Sequence, residues 1–439
     1  MRDMVGSDLK AIRGRLLSFV SEPAGPGDRS SYCFIEDGIV VVRDGRIDAV
    51  GEASELAPAL PPGTAVDHHP DGLIVPGFID THIHFPQTQV IASYGAQLLE
   101  WLNKYTFVEE QRFADAGHAE RNAVFFMDEL LRNGTTTAVV YATVHPGSVE
   151  AFFAESERRG TGMIAGKVMM DRNAPPGLRD TAQSGYDESR TLIERWHGKG
   201  RQRYAVTPRF AITSTEEQLE AAGALNRENP GVYMQTHLSE NLREIETVRQ
   251  LFPDARHYTD VYDRYGLLGE RSLFGHCIHL DDDEVRRLSD SKSVAVFCPT
   301  SNLFIGSGLF DLKRLSGGAD PVRVSLATDV GGGTSYSMLR TAAEGYKVLQ
   351  LGGQNLPALS AFHMMTRGNA LALGMGGSIG TIEPGCFADL VVLDARATPA
   401  MAHRMETIEG DLDEELFVLM TLGDDRAVRE TYVQGRASK

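Results

Sequence analysis

"VPGFIDTHIHFPQ", residues 75–87, is an apolar run that closes on two histidines one residue apart, His82 and His84. Alternate residues of a strand share a face, so both imidazoles can project together while Ile83 packs the other way. Such a pair permits shared metal ligation. An isolated His-x-His is more often incidental, however, so the rest of the chain must decide its meaning.

From residue 76 to about residue 375, short β-like runs alternate with longer segments of helical apolar spacing. This is the pattern of repeated βα units around a parallel sheet. Eight candidate strands follow one another: "GFIDTHIH", "TTTAVVYA", "GMIAGKVMM", "YAVTPRF", "GVYMQTHL", "SLFGHCIHL", "SVAVFCP" and "VRVSLATDV". Segments such as "AERNAVFFMDELLRN" and "DESRTLIERWHGKG" supply helices between them, and eight such units predict a TIM-like (β/α)8 barrel. On its N-terminal side, "CFIEDGIVVVRDGRIDAVG" alternates around the hairpin dipeptide Asp44-Gly45. On its C-terminal side, "GTIEPGCFADLVVLDAR" and "ELFVLMTLGDDRAVRETYVQGR" read as further short apolar runs joined by turns. The expected organisation is α/β: a small β-sandwich domain built from residues 1–75 and 376–439, interrupted by a catalytic barrel over 76–375.

The 439 residues carry a formal net charge of −17, which disfavours phosphate backbones and anionic lipid surfaces as partners. Four scattered cysteines form no C-x-x-C pair and fit a reducing compartment. The start, "MRDMVGSDLKAIRGRLLSF", lacks signal-peptide order, so a soluble cytoplasmic protein is expected.

Barrel enzymes assemble their active sites at the C-terminal ends of the strands. His82 and His84 end the first candidate strand, His237 the fifth, His276 the sixth and Asp329 the eighth. Imidazole nitrogens and a carboxylate suit Zn²⁺, leaving one position for water, and His82, His84, His237 and Asp329 would suffice. In "QTHLSE", Glu240 follows His237 by three residues and can reach the same water as a general acid and base. His68, His69, His118, His197, His257, His363 and His403 lack such placement and are read as surface or packing residues, with His145 and His279 assigned structural roles too.

"PGFIDTHIH", "THLSE", "GHCIHL" and "ATDV", in this order, resemble the amidohydrolase superfamily. "DTHIHFPQ", "LLEWLNKYTF", "GKVMMDRNAP", "TPRF", "FCPTSN" and "TDVGGGTSYSML" narrow the likeness to its guanine deaminase family. The resemblance implies hydrolysis of guanine to xanthine and ammonia at one zinc ion held by His82, His84, His237 and Asp329. It also implies that Glu240 shuttles a proton, that Asp329 contacts the attacking water, and that His276 lies beside it. Gln87, Arg209 and Phe210 match residues that hold the purine, alongside the metal-side residues His84 and His237. Leu99 and Trp101 are expected to wall the pocket. A homodimer is the implied assembly.

Two rival chemistries fit less well. A binuclear hydrolase would carry a carboxylated lysine at the end of strand four, whereas that strand ends in "TPRF" and Lys167 lies on strand three. A cytidine-type deaminase would need H-x-E with P-C-x-x-C, which "FCPTSN" does not provide. Another aminopurine, a pterin or a triazine remains an alternative substrate, and a non-catalytic scaffold a distant one.

Overall fold

The computed structural model describes residues 9–94, 97–408 and 410–439, so residues 1–8 at the head of the expected small domain lie outside it. Strands β1 (Leu9–Phe19), β2 (Tyr32–Arg43), β3 (Arg46–Glu52) and β4 (Ala65–Pro76) open the chain. The barrel follows with β5 (Phe78–His84), β6 (Thr135–Tyr141), β7 (Gly162–Gly166), β8 (Val168–Met169), β9 (Arg203–Pro208), β10 (Tyr233–Leu238), β11 (Ser272–His276), β12 (Val294–Phe297) and β13 (Arg323–Leu326). β14 (Leu390–Leu393), β15 (Val428–Val433) and β16 (Arg436–Ala437) close it.

The two ends of the chain share one seven-stranded sheet, ordered β16-β15-β14-β4-β1-β2-β3. β4 is its pivot, parallel to β1 on one side and antiparallel to β14 on the other. It passes into β5 through Gly77 alone, where any Cβ would collide with the Thr136 side chain. The opening stretch of sequence is therefore the physical junction of the two domains.

The parallel sheet runs β13-β12-β11-β10-β9-β7-β6-β5, with the short β8 paired to β9. Its interior is filled, not hollow: Ile79, Val139, Ile164, Ala205, Tyr233, Leu273, Val294, Val296 and Ala327 pack together from successive strands. Closure between β5 and β13 relies on side chains below and on backbone above. Asn369 donates to the carbonyls of Ile79 (2.7 Å) and Leu326 (2.8 Å) and accepts from Leu326 N–H at 3.0 Å. Higher up, the buried Asp80 carboxylate accepts from the backbone of His82 and from both the N–H and hydroxyl of Thr328. At the rim, Asp329 N–H donates to the His82 carbonyl (2.9 Å) and His84 N–H to the Val330 carbonyl (2.7 Å).

Three local expectations shift. "GMIAGKVMM" is broken at Lys167 into β7 and β8, because the lysine backbone N–H turns to the Tyr204 hydroxyl. "SLFGHCIHL" stops as a strand at His276, where His276 and Cys277 take positive φ (72° and 51°). "ELFVLMTL", read as β-like, lies within a helix, Leu412–Leu422. Asp411 caps it by accepting from Glu414 N–H, acidic residues fill its first turn, and Arg15 of β1 grips Glu415 with two bonds of 2.7 Å.

The domains are also joined by a buried ion pair. Arg201, ahead of β9, donates to both carboxylate oxygens of Asp389 next to β14, and its guanidinium lies 4.1 Å from the centre of the Phe387 ring. Breaking such a pair leaves an uncompensated buried charge. Arg201→Ala should therefore lower the unfolding free energy by about 3–5 kcal/mol, read from the denaturation midpoint. A change no larger than a surface pair gives would show that Asp389 does not depend on it.

Candidate active site

The upper end of the barrel gathers the polar residues singled out in the sequence. His82 and His84 stand on β5, His237 on β10 and His276 at the end of β11, while Asp329 follows β13. His84 Nε2 lies 3.3 Å from the Nε2 atoms of both His82 and His237, and Asp329 Oδ1 lies 3.3 Å from His82 Nε2 and 3.2 Å from His84 Nε2. Asp329 and His276 both hold positive φ (51° and 72°), a sparsely populated conformation that non-glycine residues keep where surroundings enforce it.

His82, His84 and Asp329 lie close enough together to hold a metal ion. His237 Nδ1 is 2.7 Å from the Arg209 carbonyl, which can only accept, so Nδ1 carries the proton and Nε2 presents a lone pair. Burial pushes the His84 imidazole down to about 3 and drives His237 well below its usual value, helped by the neighbouring imidazoles. The charged form of both rings is thus disfavoured, and His237 turns its Nε2 lone pair toward His84 Nε2. Burial would raise Asp329, but the adjoining His82 and His84 outweigh it and hold the carboxyl well below the usual range. A tetrahedral ion with bonds of about 2.0–2.2 Å sets its ligand atoms about 3.3–3.6 Å apart, close to the 3.2–3.3 Å separations among His82, His84 and Asp329 and to the 3.3 Å between His84 and His237. Tyr141 of β6 backs them, its ring stacked 4.5 Å from that of His84. Gly275 of β11 makes room for His82: a Cβ there would lie 2.6 Å from Cε1 of the ring.

Glu240 sits beside this cluster. Ser307 donates to its Oε1 at 2.8 Å, and its Oε2 lies 3.3 Å from His276 Nε2, which is itself 3.8 Å from Asp329 Oδ2. Burial, and then the charge of Asp329, push the Glu240 carboxyl up to about 8. Ser239 turns the chain with φ 51° after β10, and the Glu244 carboxylate accepts from the backbone N–H groups of Glu240 and Asn241, which sets the outward angle of Glu240. His276 Nδ1 is 2.8 Å from Asn302 Oδ1.

A cavity opens above, lined by His84, His237, Glu240, His276 and Asp329 together with Gln87, Arg209, Phe210, Leu98, Trp101, Leu102, Ile305 and Gly332. Leu99 is corrected: it packs half-buried against the main core. Leu98, Trp101 and Leu102 face the cavity instead, because positions three and four apart share a helical face and Leu99 is turned away from it. Ser307, Glu244, Asn302, Tyr141 and Glu110 were not anticipated. Of these, Asn302 lay in "FCPTSN", Ser307 in "GSGLFDL" and Tyr141 in the candidate strand "TTTAVVYA", stretches the sequence marked out without assigning these residues a role, whereas Glu244 and Glu110 lay in none. Lys167 is committed elsewhere, its Nζ paired with Asp180 and 3.3 Å from Glu188. His279 Nε2 lies 2.9 Å from the Ser307 carbonyl, and His145 precedes the helix Pro146–Arg159.

Comparison with known proteins agrees with this geometry. The model of the Amidohydrolase family matches residues 73–437. The guanine deaminase of Escherichia coli is 48% identical over 98% of this chain and 97% of its own length, and its solved structure superposes with a TM-score of 0.95. The guanine deaminase structure from Bradyrhizobium japonicum (37% identical, TM-score 0.94) covers 98% of this chain and 99% of that one. That of C. acetobutylicum, which has guanine bound in its active site, is 28% identical with a TM-score of 0.86 over 98% of this chain and 100% of its own. With likeness running the length of both sheets, the chain belongs to the amidohydrolase family, among its guanine deaminases.

Proposed function

We propose that the protein hydrolyses guanine to xanthine and ammonia, using one zinc ion held by His82, His84, His237 and Asp329. The observation that carries this reading is one shared cavity. Its lining brings candidate metal donors and a carboxyl pushed up to about 8 together with the amide of Gln87 and the guanidinium of Arg209. A zinc ion in that donor set supplies a water that ionises near neutral pH and polarises the reacting centre.

The chain's own groups perform the rest. Gln87 offers both a donor and an acceptor and Arg209 only donors, which suits the carbonyl and ring nitrogens of guanine. Phe210 and Trp101 wall the purine from solvent. Glu240 takes a proton from the attacking water and passes it to the purine ring as oxygen bonds to C2; the C2 hydroxyl then gives its remaining proton to the amino group, the C2–N bond breaks as C2=O forms, and ammonia leaves. A carboxyl that titrates near the working pH can both accept and return that proton. His276 Nε2 lies between Glu240 Oε2 (3.3 Å) and Asp329 Oδ2 (3.8 Å), and these three groups would hold the attacking water in position. Free cysteines, three of them buried, suit a cytoplasmic setting, and the homodimer rests on the family resemblance. Among the described residues no helix is long and apolar enough to cross a membrane.

Metal-assayed protein should release ammonia from guanine in preference to other aminopurines, pterins and triazines. Faster release from one of those would redirect the substrate assignment while leaving the metal site in place. Glu240→Gln should keep its zinc and lose roughly 10²–10⁴-fold in kcat; near-parental turnover would remove Glu240 from proton transfer. Gly275→Ala places a methyl against the His82 ring, so metal content per chain should fall in this variant as in His82→Ala. Full stoichiometry in both would contradict His82 as a ligand.

A further inference from the structure

Behind the purine-facing wall lies a carboxylate that does not line the cavity. Glu110, in the short helical turn Phe107–Glu110, is fully buried. Its oxygens are divided between two partners. Oε2 accepts from Arg209 Nη1 at 2.6 Å, and Oε1 accepts from Gln87 Nε2 at 3.1 Å. The other end of the Gln87 amide, Oε1, accepts from Gly331 N–H at 3.3 Å. Arg209 is further held with its guanidinium carbon 5.4 Å from the centre of the Phe107 ring.

A carboxylate can accept but never donate, and a backbone N–H can donate but never accept. Between Glu110 and Gly331 the Gln87 amide therefore has one permitted orientation, with its NH₂ toward Glu110 and its oxygen toward Gly331. Glu110 occupies Arg209 Nη1 as well, so that this cation enters the cavity already paired, in a fixed pose, offering its remaining N–H groups. Those groups require an acceptor. A purine with a ring carbonyl provides one; a purine without it leaves buried donors unmatched, the situation in which hydrogen-bonding sites discriminate most strongly.

We propose that Glu110 is a positioning residue for substrate selection: it locks Gln87 and Arg209 in the arrangement that reads an oxo-purine, without touching the substrate or the metal. This rests on the deaminase reading above. The test uses zinc-loaded parent, Glu110→Gln and Glu110→Asp proteins, with kcat and KM for guanine measured by ammonia release and Ki for 2-aminopurine, which keeps the 2-amino group and lacks the ring carbonyl. A glutamine at this position can present its NH₂ to Gln87 and so release the amide to turn.

Glu110→Gln is expected to retain zinc, to raise KM for guanine about 10–100-fold, in line with loss of a supporting hydrogen-bond partner, and to change the Ki of 2-aminopurine less than threefold. Glu110→Asp keeps the charge with a shorter reach and should fall between parent and Glu110→Gln. A guanine KM within threefold of the parent overturns the proposal. So does an equal loss for both purines, or a fall in kcat with KM unmoved, as a merely structural residue would give. If Glu110→Gln is recovered without zinc, Glu110→Asp decides alone: parental selectivity refutes the role, and reduced selectivity supports it. A parent that releases no ammonia from guanine refutes the deaminase reading and this proposal with it, whereas an active parent with insensitive variants refutes only the role of Glu110.

Discussion

The site exists because the first and last strands of the barrel are stitched together by unlike means at each level. The Asn369 amide spans the lower seam, the Asp80 carboxylate the middle, and direct backbone bonds from Asp329 and His84 the rim. Only with that seam closed do His82 and His84, at one end of the barrel sequence, come within 3.3 Å of Asp329 at the other. Regular ladder pairing would close a barrel equally well. Here the chain leaves β13 early and places Asp329 at positive φ, which turns its carboxylate inward over the histidines.

Buried carboxyls in this barrel show that a shifted pKa identifies a catalytic group only together with access. Burial pushes Asp80 up to about 7 and Glu240 up to about 8. Asp80 accepts hydrogen bonds from Thr328 and the His82 backbone, beneath the histidines and outside the lining of the cavity above them. Glu240 receives one hydroxyl, from Ser307, and otherwise faces His276 and open space. Similar desolvation thus accompanies a structural fastener in one case and, in the proposed reaction, a proton carrier in the other.

The barrel was legible in the sequence because its strands are short, rich in β-branched residues and separated by amphipathic helices, and because the unusual polar residues recur at strand ends. His82, His84, His237 and Asp329 could be grouped on that ground alone. The helix Leu412–Leu422 was not legible: an apolar run of that length, buried on most sides, carries no clear period to separate helix from strand. Leu99 was misplaced because "LLEWL" presents three leucines and the face turned to the cavity depends on how the loop docks. Glu110 gave no signal at all, since a glutamate in a helical turn is commonplace and its partners, Gln87 and Arg209, reach it only through the fold.

The passage of β4 into β5 through one glycine also has a bearing on how the chain emerges during synthesis. β4 gains its second neighbour, β14, only on the order of 300 residues later, roughly 15–60 s at ordinary elongation rates. Throughout that interval the strand leading directly to His82 and His84 has an unpaired edge, the kind of surface that recruits other chains. The third of β4 that faces β14, Leu73–Pro76, is also its most apolar part. The residues that lead into the strand of His82 and His84 are thus secured on their second side only late in synthesis, and a chain cut short before β14 would display a sticky edge beside an otherwise nearly complete barrel.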